Sequence, residues 1–263
     1  MASPVTITTM GATGNTIPVE GAAGAASRPS SEGSWLKPLL QGVLILAASV
    51  FLLYLAWPRL QASLLYLPVD TAINNYYATG EANPAQLKGL RQRARDAIAV
   101  YPHHRYYDGL SLLYYLDAAR SDNRLFERRA AFEESILAAE ASLDHAPAQP
   151  RAWLRIAQAR SWLRYPPEQV IEALKMAIYT GRVEPSMYLT RLGLGLAYLP
   201  RMDSEARSLM RDQVLLAWDM QRGTVARALK AGELKFAPME QLLEGTHQSV
   251  LDEIREAAGG PVR

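Results

Sequence analysis

Pro150-Arg151-Ala152-Trp153-Leu154-Arg155-Ile156-Ala157-Gln158-Ala159-Arg160 decides the fold. Trp153 is followed at +3 by Ile156 and at +4 by Ala157, steps that bring the three side chains to one face of a helix. Pro147 lies six residues before Trp153. A second helix opens at Pro166-Pro167-Glu168, with Val170, Leu174 and Ala177 on one face at spacings of four and three. Working outward, the same +3, +4, +7 steps recur in Tyr107, Leu110, Ser111 and Tyr114 after Pro102, and in Leu189, Leu192, Gly193 and Leu196 after Pro185. Leu90, Ala94 and Ala97 read as the second helix of an earlier pair. Its start at Asn83-Pro84-Ala85-Gln86 combines a cap, a first-turn proline and a glutamine able to reach back. The first helix of that pair is expected over Val69–Tyr77, and closing helices over Thr224–Leu229 and Pro238–Ala258. Alternating β-branched runs are almost absent and Ala, Leu, Arg, Glu and Gln dominate, so the expected class is all-α.

The order of large aromatic, aliphatic and small residue, with a second helix closed by proline, resembles the tetratricopeptide repeat, a helix–turn–helix unit of about 34 residues. The resemblance spans roughly residues 70–220. Its steps are irregular: Tyr107 to Trp153 is 46 positions and Trp153 to Leu189 is 36. It implies a solenoid of helical hairpins, with Trp153 buried between neighbouring pairs and the first helix of each pair lining a concave groove. On that phase Arg151, Leu154, Gln158 and Ser161 face the groove, with Arg105, Asp108, Leu112 and Tyr115 on the preceding pair and Met187, Thr190 and Leu194 on the next. Arg191 lies on the first helix of that next pair and joins the candidate set. A guanidinium offers a bidentate fork to carboxylates, so the groove fits an acidic or C-terminal peptide segment. A solvated helix face with scattered ion pairs would carry the same arginines.

Leu39–Ala56 reads LLQGVLILAASVFLLYLA, without a charge and long enough to cross a bilayer as a helix. Trp35 and Lys37 flank it on one side and Trp57 and Arg59 on the other. Indole rings suit the headgroup layer, and Pro58 suits a helix stop. A cleaved signal peptide is a poorer reading, because a long polar tail precedes the run and Leu60-Gln61-Ala62 is a weak cleavage site. Arg28 and Lys37 before the run against Arg59 after it favour a cytoplasmic tail and a large domain outside, periplasmic in a bacterial inner membrane. The expected divisions are a disordered tail at 1–34, the transmembrane helix with its flanks at 35–59, a juxtamembrane segment at 60–69, the helical domain at 70–258 and a disordered end at 259–263. Leu60, Leu64 and Leu67 share one face of the juxtamembrane segment, which is expected to pack on the first helix pair, an interfacial membrane helix being the other reading.

The net charge of +2 gives no argument for nucleic acid, and the absence of cysteine removes disulfides, thiolate metal sites and cysteine nucleophiles. Gly193-Leu194-Gly195 lacks the third glycine and preceding strand of a nucleotide site, and no G-x-S-x-G occurs. His103 and His104 read as a loop or helix start, since adjacent histidines on a helix diverge by about 100°. No catalytic, cofactor or metal set is assigned. The expected function is a membrane-anchored scaffold or adaptor whose partners are the lipid bilayer and a protein segment. The settings such anchored repeats imply are envelope assembly, periplasmic chaperoning, and polysaccharide synthesis or export. The alternative is an accessory subunit of a membrane complex, held mainly through the span.

Overall fold

The computed structural model describes residues 36–120 and 124–259. The tail at 1–34, Trp35 and residues 260–263 lie outside the described residues. Among those described, the chain is helical throughout and contains no strand. In order the helices are α1 (Leu36–Thr79), α2 (Pro84–Val100), α3 (His104–Ala118), α4 (Leu125–His145), α5 (Pro150–Trp162), α6 (Pro167–Thr180), α7 (Tyr188–Tyr198), α8 (Ser204–Lys230), α9 (Phe236–Leu243) and α10 (Gln248–Ala257). Two compact units divide the chain between Phe51 and Leu52.

In the first unit, every described side chain from Lys37 to Phe51 is exposed. The helix that begins there is long and apolar enough to cross a membrane. It does not stop at Pro58, as expected from sequence, but continues through Pro58 and Pro68 to Thr79. Each proline deprives a carbonyl four residues back of its donor, a cost of about 3 kcal/mol in a helix interior. Packing downstream offsets that cost, because Ala62, Tyr66 and Val69 are buried at spacings of four and three. The separate segments expected at 35–59 and 60–69, and the helix start expected at Val69, are therefore parts of one helix. Its packed face is also not the expected one. Leu60, Leu64 and Leu67 stand 52%, 62% and 59% exposed.

Within the second unit, the helices from α2 onward pack on their sequence neighbours, and α3 also meets α5, α6 meets α8 and α7 meets α9. Starts follow local chemistry. Asn83 Oδ1 accepts from the Ala85 N–H at 3.1 Å and Asp203 Oδ1 from Ala206 at 2.7 Å, capping α2 and α8. His103 Nδ1 does the same for α3, accepting from Arg105 at 3.3 Å. Pro84, Pro150 and Pro167 occupy first turns. The α3–α4 approach is close enough for a reciprocal pair. Ser111 Oγ donates to the Ser135 carbonyl at 2.7 Å and Ser135 Oγ to the Ser111 carbonyl at 2.9 Å, both residues being fully buried.

Between α1 and α3 the small residue is Gly109, where an added Cβ would lie 1.7 Å from Tyr66 Oη. On α7 it is Gly195 rather than the expected Gly193: Gly195 faces Met210 of α8, while Gly193 is exposed. Trp153, expected deep between helix pairs, is half-buried and donates Nε1–H to the Pro147 carbonyl at 2.9 Å; Ala152, Ile156, Ala157 and Ala159 form the buried face of α5. The expected closing helix at Thr224–Leu229 is the end of α8, which kinks at Gln221, and the stretch Pro238–Ala258 divides into α9 and α10.

Candidate functional site

Every fourth or third residue along α3, α5 and α7 points to one side, and there the second unit holds a cavity of about 150 Å³. Leu112 and Tyr115 come from α3, Arg151, Leu154, Arg155 and Gln158 from α5, and Thr190 from α7. Ser186 and Met187 precede α7, and Tyr76 and Tyr77 come from the last turn of α1. Leu112, Leu154 and Met187 are buried and form the apolar floor. Burial pushes the Tyr76 hydroxyl above the ordinary tyrosine value, with Tyr77 adding to the effect. Burial does the same to Tyr115 against a smaller opposing bond to Trp162. Both phenols therefore stay protonated and able to donate at neutral pH.

The two arginines differ. Arg155 is 5% exposed in its side chain, and its Nη1 donates to Asp108 Oδ1 at 2.7 Å and to the Asp108 carbonyl at 2.9 Å. Burial works against its charge, but the Asp108 carboxylate, with help from Tyr77, outweighs it and holds the guanidinium above its usual range. Arg155 is thus the buried half of an ion pair beneath the cavity. Arg151 is 44% exposed, lies 4.9 Å from the centre of the Tyr77 ring and keeps Glu184 at 3.7 Å. Ser186 Oγ, 3.5 Å from Arg151 Nη2, donates to Glu184 Oε1 at 2.8 Å. Both guanidinium charges are answered by carboxylates, which leaves an aromatic, nearly neutral cavity with hydroxyl and amide groups at its mouth.

Of the residues singled out from sequence, Leu112, Tyr115, Arg151, Leu154, Gln158, Met187 and Thr190 meet at this cavity, Ser161 and Leu194 do not line it, and Asp108 lies beneath it through Arg155. Arg105 lies elsewhere, its Nη2 bonded to Asp70 Oδ1 at 2.5 Å. Arg191 is a correction, being fully buried and lining no surface. Its Nη2 donates to the Ala177 carbonyl at 2.6 Å and its Nη1 to Gln213 Oε1 at 3.0 Å, while Nε has no partner among the described residues. Burial lowers its pKa, against smaller support from Tyr188 and Glu184. Arg191 joins α6, α7 and α8 rather than meeting a ligand. Of the expected anchor residues, Lys37, Trp57 and Arg59 are exposed along α1.

Sequence reasoning missed Tyr76, Tyr77 and Ser186, and it placed Arg155 off the groove face. A signal for Arg155 was present, since it lies four residues after Arg151, about 40° away around the helix. The tyrosines carried none, because nothing in the sequence says that the end of α1 reaches across α3 to α5. No group of three or more His, Cys, Asp or Glu residues among those described has the arrangement of a metal site. No protein family, curated protein or solved structure matches the chain.

Proposed function

We propose that this protein is a membrane-anchored scaffold whose helical hairpins form a tetratricopeptide-like array, and that the cavity between α1, α3, α5 and α7 seats a side chain of a partner protein's segment. One observation carries the reading: positions chosen by repeat phase on α3 (Leu112 and Tyr115), on α5 (Arg151, Leu154 and Gln158) and at or just before α7 (Met187 and Thr190) line a single cavity. A recess of about 150 Å³ suits one anchoring side chain rather than a whole helix. Anchors of this kind contribute most of the affinity in such contacts. Because carboxylates already answer Arg155 and Arg151, the occupant is an aromatic or aliphatic anchor with polar flanks, rather than the acidic segment expected from the arginine count. A helix long and apolar enough to cross a membrane supports a membrane location, which we read as a bacterial inner membrane, and the flanking charges favour a periplasmic domain.

A photo-cross-linking residue at Gln158 tests the reading. It should capture a discrete partner that Leu154→Arg abolishes, while the same probe at Glu172, on the exposed face of α6, should not. Equal capture from both positions contradicts it. The second reading, an accessory subunit held by its span, draws on the exposed leucines that continue the apolar face of α1 past Trp57. Capture from probes at Leu60 or Leu64 alone would favour it. A reporter active only in the periplasm, fused after Arg263, checks orientation.

A further inference from the structure

The turn between α2 and α3 folds back against α1 just beyond the apolar run. Arg59 Nε donates to Tyr101 Oη at 2.9 Å, and the guanidinium carbon stands 5.1 Å from the Tyr101 ring centre. Ser63 Oγ lies 3.1 Å from Tyr106 Oη. His103 stands 4.3 Å, ring centre to ring centre, from His104 and 5.5 Å from Tyr106. Together Arg59, Ser63, Tyr101, His103, Arg105 and Tyr106 line an open cavity of about 290 Å³.

The charge here is unbalanced. No lining residue is acidic. Asp70 answers Arg105, and Arg59 has no carboxylate within ion-pair distance among the described residues. His103 reports the imbalance. Its pKa is lowered by partial burial and then by His104, Arg105, His145 and Arg59. The donors able to reach into the cavity are the Arg59 guanidinium, the Ser63 and tyrosine hydroxyls and the free His103 nitrogen. That set suits a tetrahedral oxyanion. Location narrows the source. Arg59 follows Ala56 by three residues, a rise of about 4.5 Å, and the headgroup layer on each side of a bilayer is about 5–7 Å deep.

We propose that this pocket binds the phosphate of an anionic phospholipid in the leaflet from which α1 emerges. The assignment rests on the membrane-anchored reading above. Arg59 supplies the main charge, the hydroxyls of Ser63 and Tyr106 complete the contact, and the Arg105–Asp70 pair holds the start of α3 in place. A basic pocket beside a span is a recognised form of headgroup site.

The test uses full-length protein in nanodiscs of phosphatidylcholine mixed with phosphatidylglycerol, extracted into mild detergent and weighed with its retained lipids by native mass spectrometry. Phosphatidylglycerol should be retained in preference to phosphatidylcholine. Arg59→Gln should lower that retention roughly tenfold, the worth of one charge-assisted contact. Arg59→Lys should restore part of it, and Arg222→Gln, on α8 and paired with Glu253 of α10, should leave it unchanged. If Arg59→Gln melts early, Ser63→Asp, which adds a repelling charge at an exposed position, gives the same reading. Equal retention of both lipids, or no loss in either variant, overturns the site. Displacement of phosphatidylglycerol by soluble glycerol 1-phosphate at equal concentration assigns the pocket to a free phosphate and overturns the lipid. Extraction of the wild-type protein by carbonate overturns the anchored reading together with the site, whereas failure of lipid preference alone leaves the anchor standing.

Discussion

Two arginine-bearing recesses in one helical unit have opposite electrostatics. At the cavity between α3, α5 and α7, Arg155 is paired with Asp108 and Arg151 with Glu184, and three tyrosines supply much of the wall. At the pocket beside the start of the second unit, Arg59 has no carboxylate within ion-pair distance among the described residues, and burial, then His104, Arg105, His145 and Arg59, lower the His103 pKa. An arginine count from sequence makes the first region look like the anion site. The contacts make it nearly neutral and leave the uncompensated charge on the second. Affinity for anions follows the charge left over after internal pairing, because a guanidinium already desolvated against a carboxylate has little to offer a ligand.

The largest effect that would break this contrast is at Asp108. Removing it by Asp108→Ala strands Arg155, 5% exposed, without its counter-charge. The expected loss is about 3–5 kcal/mol in urea melts, against less than about 1 kcal/mol for Arg59→Ala. A small effect at Asp108 would mean that Arg155 is solvated and the cavity is cationic after all. Next comes Gly109→Ala. Its Cβ would collide with Tyr66 Oη, so about 1–3 kcal/mol should be lost, and Tyr66→Phe in the same chain should recover part of it. Absence of that coupling would detach α1 from α3 and remove one wall of both recesses.

Much of this was legible in the sequence, and the reasons are local. Prolines at first turns, the Asn83 cap and the +3/+4 spacing mark helix starts and faces because a helix is built from contacts within one or two turns. The phase on α5 located Arg151, Leu154 and Gln158, and the recurrence on α3 located Leu112 and Tyr115. What failed depended on partners distant in the chain. Pro58 ends a helix by local rules, yet Ala62, Tyr66 and Val69 find a packed surface that carries α1 through it. Leu60, Leu64 and Leu67 outrank that face in hydrophobicity and still lie outside, on a helix long and apolar enough to cross a membrane. Arg191 went to the core because the Ala177 carbonyl and Gln213 offer it acceptors there, a fact held in α6 and α8. Trp153 stood where the tetratricopeptide resemblance expects a buried aromatic, but its indole N–H reaches back to Pro147 and keeps the ring at the edge.

That last correction sharpens the comparison within α5. Ile156→Ala, at a fully buried site, should cost about 2–5 kcal/mol, and half-buried Trp153→Ala about 1–2 kcal/mol. The reverse order in urea melts would return Trp153 to the core and shift the cavity-facing phase. The smallest effect concerns His103. Its folded pKa lies below the ordinary value near 6.5, so the unfolded chain binds the proton first as pH falls. Stability should therefore be complete above about pH 6.5 and decline below it, with Arg59 from α1, His104 and Arg105 from α3 and His145 from α4 opposing the new charge. His103→Gln should flatten that decline in melts across pH 5–7. An unchanged slope would mean that the charge around Arg59 is compensated.

The central claim, that the cavity rather than the span holds the partner, is tested most directly by exchanging Leu39–Ala56 for an unrelated membrane-spanning helix while keeping Trp57 onward, including the buried face of α1. Partner capture by this chimera is compared with capture by the otherwise native chain carrying Leu154→Arg. The account predicts that the chimera retains the partner at wild-type levels and that Leu154→Arg, folded by circular dichroism, loses it. Loss in the chimera with retention in Leu154→Arg would contradict it and place the binding surface on the span.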